Sequence, residues 1–152
     1  MSLNNIFRIS SQGMTAQRER LEAAASNLAN SNSTRTNEGG AYRRRDVVVE
    51  AVDLPSPRAE FGTQFGALLP DGASEARGVR ATTLVSENGE GIKRLQPDHP
   101  DADANGYVTM PDVDPLEETV NMLSAARAFE ANATAFNTAK EMARTSLKLG
   151  DA

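Results

Sequence analysis

The sequence DPLEETVNMLSAARAFEANATAFNTAKEMARTSLKLG, residues 114–150, contains the longest helical pattern of the chain. Asp114 is suited to cap a helix that has Pro115 at its first position, and Glu117 is placed to complete a capping box. No further Gly or Pro occurs until Gly150, which predicts one helix that ends there. At this length the helix would extend roughly 50 Å, so one small core could not cover its whole apolar band.

The apolar band of this helix is wide, flat and rich in Ala. Positions that step by four and three form a row of Met122, Ala126, Phe129, Ala133, Phe136, Lys140, Ala143 and Leu147. A neighbouring row contains Ala125, Ala128, Asn132, Ala135, Ala139 and Met142. Because small side chains let helices approach closely, the band favours contact with more than one neighbouring helix.

A second helical pattern occupies the first 30 residues. Phe7, Met14, Leu21 and Leu28 recur at intervals of seven, and Ala24 belongs to the same face. The pattern ends at the polar run that begins with Asn30. A heptad-like stripe at each end of the chain predicts that the two terminal helices pair as a coiled coil.

The sequence pattern in the middle of the chain predicts short strands and turns. Strands are predicted at Arg43–Asp53, Val79–Val85, Ile92–Gln96 and, after an Asn-Gly turn, Tyr107–Met110. Residues 54–76 carry three Pro and three Gly with little periodicity, which predicts a long, partly flexible excursion. We therefore expect three regions: a coiled-coil helix at 1–32, a β-rich or extended segment at 33–113, and a coiled-coil helix at 114–150.

The composition limits the shape and the function of the chain. Its 152 residues are 39% hydrophobic and 5% aromatic, with no Trp, which predicts a thin core. The expected fold is mainly α with a small β-rich insert, and elongated. Residues 46–118 hold fifteen acids against five bases, which argues against nucleic acid as a ligand.

The sequence lacks the signatures of disulfides, secretion signals and membrane spans. There is no Cys, the N-terminus does not follow the order of a secretory signal, and no window approaches about 18 continuous apolar residues. We expect no cleaved signal peptide and no membrane insertion.

Ordering the two terminal helices costs backbone conformational entropy. The helices have few large apolar side chains whose burial could offset that cost. We hypothesise that the isolated ends are marginally stable and that assembly with other molecules stabilises them by mass action.

Residues 101–112, from Asp101 to Asp112, are the most ligand-like motif. Oxygen donors at positions 1, 3, 5, 9 and 12, with Gly106 at position 6, match a calcium-binding EF-hand loop. Asp at position 12 is short for bidentate binding, and the incoming segment Pro97-Asp98-His99-Pro100 cannot be helical. An acidic, solvated turn is the simpler interpretation.

The other polar motifs assemble no active site. His99 is the sole His and is expected to cap a turn, and residues 87–91 are expected to form a hairpin loop. For Arg43-Arg44-Arg45 the alternatives are contact with acidic partners and a solvated position, and we expect the solvated one. We predict no catalytic residue, no metal and no cofactor.

Four blocks of sequence resemble the flagellar basal-body rod proteins. The first contains Ser26, Asn27, Leu28, Ala29 and Asn30, and the second is Ala41-Tyr42-Arg43-Arg44. The third runs from Pro97 through Gly106 and Tyr107 to Asp114, and the last is Arg127-Ala128-Phe129-Glu130-Ala131-Asn132.

The resemblance implies a non-enzymatic subunit of the proximal rod, the shaft that transmits torque across the periplasm. It also implies export without a cleaved signal through the flagellar type III apparatus, and assembly with other rod subunits and copies of itself. The residues then expected to pack between helices within and between subunits are Phe7, Met14, Leu21, Ala24, Leu28, Met122, Ala126, Phe129, Ala133, Phe136, Met142 and Leu147. The alternative is a soluble calcium-binding or regulatory helical protein that uses the 101–112 loop.

Overall fold

The computed structural model describes residues 3–37, 39–54, 77–86 and 91–150. Helix α1 spans Leu3–Ala29 and helix α2 spans Pro115–Gly150. Between them lie strands β1 (Arg45–Asp53), β2 (Arg77–Val85), β3 (Ile92–Leu95) and β4 (Tyr107–Met110). The predicted mainly helical fold with a small β-rich insert is confirmed. Apart from Leu54, the predicted 54–76 excursion lies outside the described residues, as do 87–90 of the predicted hairpin loop.

The start of α2 follows the predicted cap but not the predicted capping box. Asp114 Oδ1 accepts a 2.8 Å hydrogen bond from the Leu116 N–H, and the Asp114 carbonyl accepts one of 3.0 Å from the Glu118 N–H. Glu117 does not close the box: its Oε1 accepts a 2.8 Å hydrogen bond from Arg44 Nη2 instead. A charged guanidinium is a stronger donor than a backbone N–H, which explains why the carboxylate turns away from the helix start.

The strands form two separate two-stranded sheets, β1 with β2 and β3 with β4. The β3–β4 pair is antiparallel, and it places Ile92 opposite Met110 and Leu95 opposite Tyr107. Beyond it, the Gln96 N–H donates to the Gly106 carbonyl at 2.9 Å. Gly106 has φ of 78°, a backbone conformation that Gly adopts without steric cost, so the predicted turn before β4 is confirmed.

The chain divides into two compact units, each assembled from distant parts of the sequence. Unit 1 comprises Met1–Ala16, Val49–Ala81 and Ala128–Ala152, and unit 2 comprises Gln17–Val48 and Thr82–Arg127.

Unit 1 brings the beginning of α1 against the end of α2. The rings of Phe7 and Phe136 lie with their centroids 5.0 Å apart. Ala16 and Ala139 are buried, and Gly13 faces the side chain of Asn132. A Cβ at Gly13 would come within 2.9 Å of Asn132 Nδ2, so the absence of a side chain permits this close approach. The Gly residue that weakens the helical pattern of α1 therefore has a packing role.

Unit 2 has a core of small apolar residues around two polar ones. Its buried apolar side chains are Ala23, Ala24, Val108, Val113 and Ala125. Asn27 is 1% exposed and Glu118 is 2% exposed, so both polar side chains are inside this core. Burial of this kind requires hydrogen-bond partners, which the two side chains find in each other and in the residues around the start of β1.

Replacement of Asp114 by Ala is expected to destabilise the protein by about 1 kcal/mol, because the N–H of Leu116 loses its partner. Asp112 is the matched control: it carries the same charge two residues earlier and is exposed. Asp112→Ala should change stability by less than about 0.5 kcal/mol. Urea unfolding followed by circular dichroism measures both, and equal losses would argue against the cap.

Gly13→Ala is expected to give no gain in stability in the native sequence, because the new Cβ meets Asn132. In an Asn132→Ala background the same change should stabilise by about 1 kcal/mol, the helix-propensity difference between the two residues. A double-mutant cycle of thermal unfolding measures this coupling. Equal effects in the two backgrounds would contradict the contact.

Candidate functional site

Asn27, in the last turns of α1, uses every hydrogen-bonding position of its amide. Its Nδ2 donates to the Arg45 carbonyl at 2.8 Å and to Glu118 Oε2 at 3.2 Å. Its Oδ1 accepts from the Arg45 N–H at 2.9 Å and from the Tyr42 hydroxyl at 3.0 Å. An amide has two donors and two acceptor positions, so the buried side chain is fully paired. One residue thereby joins α1 to the start of β1 and to the first turn of α2.

Ser26 and Asn30 complete the end of α1. The Ser26 hydroxyl lies 3.1 Å from the Tyr42 hydroxyl, which itself donates to Asn27. Asn30 donates from Nδ2 to the Ser26 carbonyl at 2.8 Å, and its N–H bonds the same carbonyl at 3.1 Å. These bonds satisfy a helix-end carbonyl that has no partner further along the helix. The predicted motif residues Ser26, Asn27 and Asn30 are therefore linked by hydrogen bonds at the end of α1. Of the other two motif residues, Leu28 is half-buried and Ala29 is exposed.

Arg44 is the cationic partner of the buried Glu118. Its Nη2 lies 3.0 Å from Glu118 Oε1 and 2.8 Å from Glu117 Oε1, and its Nε lies 3.2 Å from Asp46 Oδ1. The hydrogen bond that Arg44 donates to Glu117, together with the surrounding carboxylates, raises the pKa of Arg44 despite the opposing effect of burial. The expectation that all three residues of Arg43-Arg44-Arg45 are solvated is wrong for Arg44, because three carboxylates converge on it.

We call Ser26, Asn27, Tyr42, Arg44 and Glu118 the Asn27 cluster. Arg44 Nε lies near Asp46 and Glu118 Oε1 lies near Arg44 Nη2, but the geometry of these two ion pairs is not that of a hydrogen bond. The Glu118 carboxylate is thus held by one hydrogen bond from Asn27 and by charge attraction to Arg44. Removal of the Arg44 charge would leave the Glu118 carboxylate buried and uncompensated, which costs several kcal/mol.

The loop before β4 is organised by its own acidic side chains. Asp103 Oδ1 accepts from the Asn105 N–H at 2.8 Å and from the Tyr107 N–H at 2.9 Å. Asp101 Oδ2 accepts a 2.7 Å hydrogen bond from the Thr34 hydroxyl. The Asp101 N–H donates to His99 Nδ1 at 3.1 Å, which confirms His99 as a turn-capping residue.

These contacts leave little support for the calcium alternative. In the parts of the chain that the structure describes, no group of three His, Cys, Asp or Glu residues is arranged to hold a metal ion. Of the two carboxylates that the EF-hand pattern would require first, Asp103 accepts from N–H groups of its own loop, and Asp101 accepts from the Thr34 hydroxyl of another segment.

The predicted packing residues divide between the two units. In unit 1, Phe7, Met14, Ala133 and Phe136 are half-buried, and Phe7 contacts Phe136 directly. Phe129, Met142 and Leu147 are exposed. In unit 2, Ala24 is buried, and the half-buried members are Leu21, Leu28, Met122 and Ala126.

Two polar side chains that join separate elements were not predicted from the local sequence pattern, Glu118 of α2 and Gln12 of α1. Glu118 precedes Met122 and Ala125 by four and seven positions, so its charge stands in an apolar row. In unit 1, Gln12 Oε1 accepts a 3.1 Å hydrogen bond from the Val79 N–H. A carboxylate at a core position of a helical pattern is a signal that could have identified Glu118.

No helix in the described ranges is both long enough and apolar enough to cross a membrane.

Comparison with known proteins relates these features to a family. A family profile described as "Flagella basal body rod protein" matches residues 7–35, and one described as "Flagellar basal body rod FlgEFG protein C-terminal" matches residues 104–149. Flagellar basal-body rod protein FlgC of Salmonella typhimurium is 40% identical over 150 residues, which cover 99% of each chain. The FlgC proteins of Borreliella burgdorferi and Bacillus subtilis are 35% and 32% identical over 155 and 154 residues, with at least 98% of each chain covered.

The chain belongs to the flagellar basal-body rod protein family. Within that family it is similar to the FlgC proteins, each of which matches it over nearly its full length. The two profile matches of the rod family contain Asn27 and Glu118, respectively. Tyr42 and Arg44 lie outside both matched ranges, in the connecting segment that completes the Asn27 cluster.

Arg44→Ala is expected to destabilise the protein by about 3–5 kcal/mol, because Glu118 then stays buried without a positive partner. Arg43→Ala is the matched control, since Arg43 is the exposed neighbour of Arg44. The double replacement Arg44→Met with Glu118→Leu should recover much of the loss by removing both charges. Urea unfolding compares the variants, and similar losses for Arg43→Ala and Arg44→Ala would contradict a buried pair.

Proposed function

We propose that this chain is a non-enzymatic structural subunit of the flagellar basal-body rod, and that it assembles with other rod subunits and with copies of itself. The observation that carries this proposal is the similarity to FlgC proteins over 98–99% of both chains. A match of that extent includes both terminal helices and the middle segment. Assembly with rod subunits and residence in the basal body follow from the family.

Helices α1 and α2 are the elements through which the subunit would pack, as a coiled-coil layer. The 5.0 Å approach of the Phe7 and Phe136 rings, and the contact of Gly13 with Asn132, support such pairing in unit 1. The buried Ala residues of both units support it too, because small side chains allow helix axes to come close. Heptad spacing in α1 provides the matching seam.

Contacts between subunits would use the predicted packing residues that the folded chain leaves exposed. Phe129, Met142 and Leu147 are large apolar side chains on the outside of α2. Apolar side chains that recur along an exposed helix are typical of surfaces that another protein covers. A rod built of many subunits supplies that cover.

Transmission of torque across the periplasm would require a subunit that resists deformation. Close-packed interiors have low compressibility, and the Ala-rich cores of both units are suited to dense packing. The Asn27 cluster supports the same role, because a fully paired amide fixes three segments of unit 2 in one arrangement.

Export through the flagellar type III apparatus, without a cleaved signal, completes the proposal. Such a route requires a chain that unfolds readily before it joins the rod. Cores made mainly of Ala bury little apolar area per residue, which supports a marginally stable monomer that partners stabilise by mass action.

Leu21→Asp or Phe129→Asp is expected to abolish motility, because a carboxylate would enter a helix-packing surface. The test is complementation of a bacterium that lacks its own copy, with swimming measured in soft agar and rods counted in isolated basal bodies. Leu21→Met and Phe129→Leu are the controls that keep an apolar side chain, and they should swim. An Asp variant that builds rods and swims would refute the assignment of these residues.

A further inference from the structure

The dipeptide Asn105-Gly106 lies in the turn that precedes β4, and the Asn105 side chain is exposed. Asn is one of the thermolabile residues of proteins. An Asn that is followed by Gly is especially prone to spontaneous deamidation, because Gly has no side chain to hinder attack on the Asn carboxamide. The turn therefore contains a chemically reactive group as well as a structural one.

The reaction is an internal substitution at the Asn105 side chain. The Gly106 backbone nitrogen loses its proton and bonds to the Asn105 side-chain carbonyl carbon, while the carboxamide C–N bond breaks and ammonia leaves. Water then opens the resulting cyclic succinimide at one of its two carbonyl carbons, which gives aspartate or isoaspartate. Water is the only co-reactant.

In the folded chain, Asp103 holds the Gly106 nitrogen in a different arrangement. The Gly106 N–H donates to the Asp103 carbonyl at 2.9 Å, and the Asp103 N–H donates to the Tyr107 carbonyl at 2.8 Å. Asp103 Oδ1 accepts from the N–H groups of Asn105 and Tyr107 at 2.8 and 2.9 Å. The proton that must leave Gly106 is thus hydrogen-bonded, and the direction of its N–H is fixed. Ring closure requires the turn to open first.

We propose that Asn105 is a site of spontaneous conversion to isoaspartate, and that the turn held by Asp103 suppresses this conversion in the folded chain. The reaction then proceeds from molecules in which the hydrogen bonds of Asp103 are broken, so its rate follows the open fraction of the turn. The chemistry needs only the single chain, so its test is independent of the proposed function.

Isoaspartate at position 105 does not fit the geometry of this turn. It adds a methylene group to the backbone and places a carboxylate close to Asp103 in sequence. The Gly106 carbonyl accepts from the Gln96 N–H at 2.9 Å, which connects the turn to the end of β3. A longer backbone at position 105 displaces that carbonyl. A chain that reacts while it is unfolded therefore loses the turn that closes the β3–β4 pair.

The first test compares folded and unfolded chains. The purified full-length protein is incubated in mildly alkaline buffer with and without urea, and isoaspartate at each Asn is measured by peptide mass spectrometry with electron-transfer fragmentation. Asn105 should react at least about tenfold faster in urea. The other Asn-Gly pair of the sequence, Asn88-Gly89, is the chemical reference in urea, where the two pairs should react at similar rates. Absence of isoaspartate at Asn105 in urea, or equal rates with and without urea, would overturn the proposal.

The second test removes the group that holds the turn. Asp103→Ala should raise the rate at Asn105 in buffer by about tenfold, because two N–H groups lose their acceptor. Asp112→Ala is the matched control, since it removes the same charge from an exposed position outside the turn. It should leave the rate unchanged. Equal acceleration in both variants would mean that charge, and not the turn, controls the reaction.

Hydrogen exchange separates opening of the turn from unfolding of the chain. In Asp103→Ala the protection of the Gly106 amide should fall by about tenfold, while the Ala23 and Ala24 amides of α1 stay protected. In the native sequence, increasing urea should accelerate exchange at Gly106 and reaction at Asn105 together. Faster reaction at Asn105 without faster exchange at Gly106, in either experiment, would refute the protective role of the turn.

Discussion

The Glu118 carboxylate is the group on which the arrangement of unit 2 depends. It is buried among Ala and Val side chains, where an uncompensated charge is costly, and it is stabilised by Asn27 and Arg44. Asn27 comes from α1, Arg44 precedes β1 and Glu118 opens α2. The charge therefore requires all three segments to be present at once, and no single segment can satisfy it alone.

The two units pack their helices closely through different kinds of contact. Unit 1 relies on shape: Gly13 makes room for Asn132, and two Phe rings fill the space nearby. Unit 2 relies on polar pairing inside a core of small residues, so its specificity comes from hydrogen-bond geometry. Ala-rich helices slide easily against one another, and a buried amide with four partners removes that freedom.

Local signals in the sequence predicted most of the fold. Asp114 with Pro115, and Asn-Gly before β4, act over one turn of chain, so the helix start and the turn could be identified without the structure. The six elements lie within a few residues of their predicted bounds for the same reason.

The contacts that build the Asn27 cluster could not be predicted in that way. Arg44 is one of three consecutive Arg residues with similar local surroundings, and only its distant partners distinguish it. Glu117 occupies the position of a capping-box carboxylate, yet it binds the guanidinium of Arg44, 73 positions away in sequence, instead of the backbone at the helix start. Long-range charge pairing overrides local rules where it offers the stronger donor.

The 91 positions between Asn27 and Glu118 have a consequence for timing. During synthesis from the N-terminus, Asn27 is made long before its last partner, Glu118. Until then, water must provide the hydrogen bonds of the Asn27 amide. The buried face of α1 in unit 2 lacks its partner until the first turn of α2 is present. The Asn27 cluster can therefore be completed only after the first turn of α2 is present.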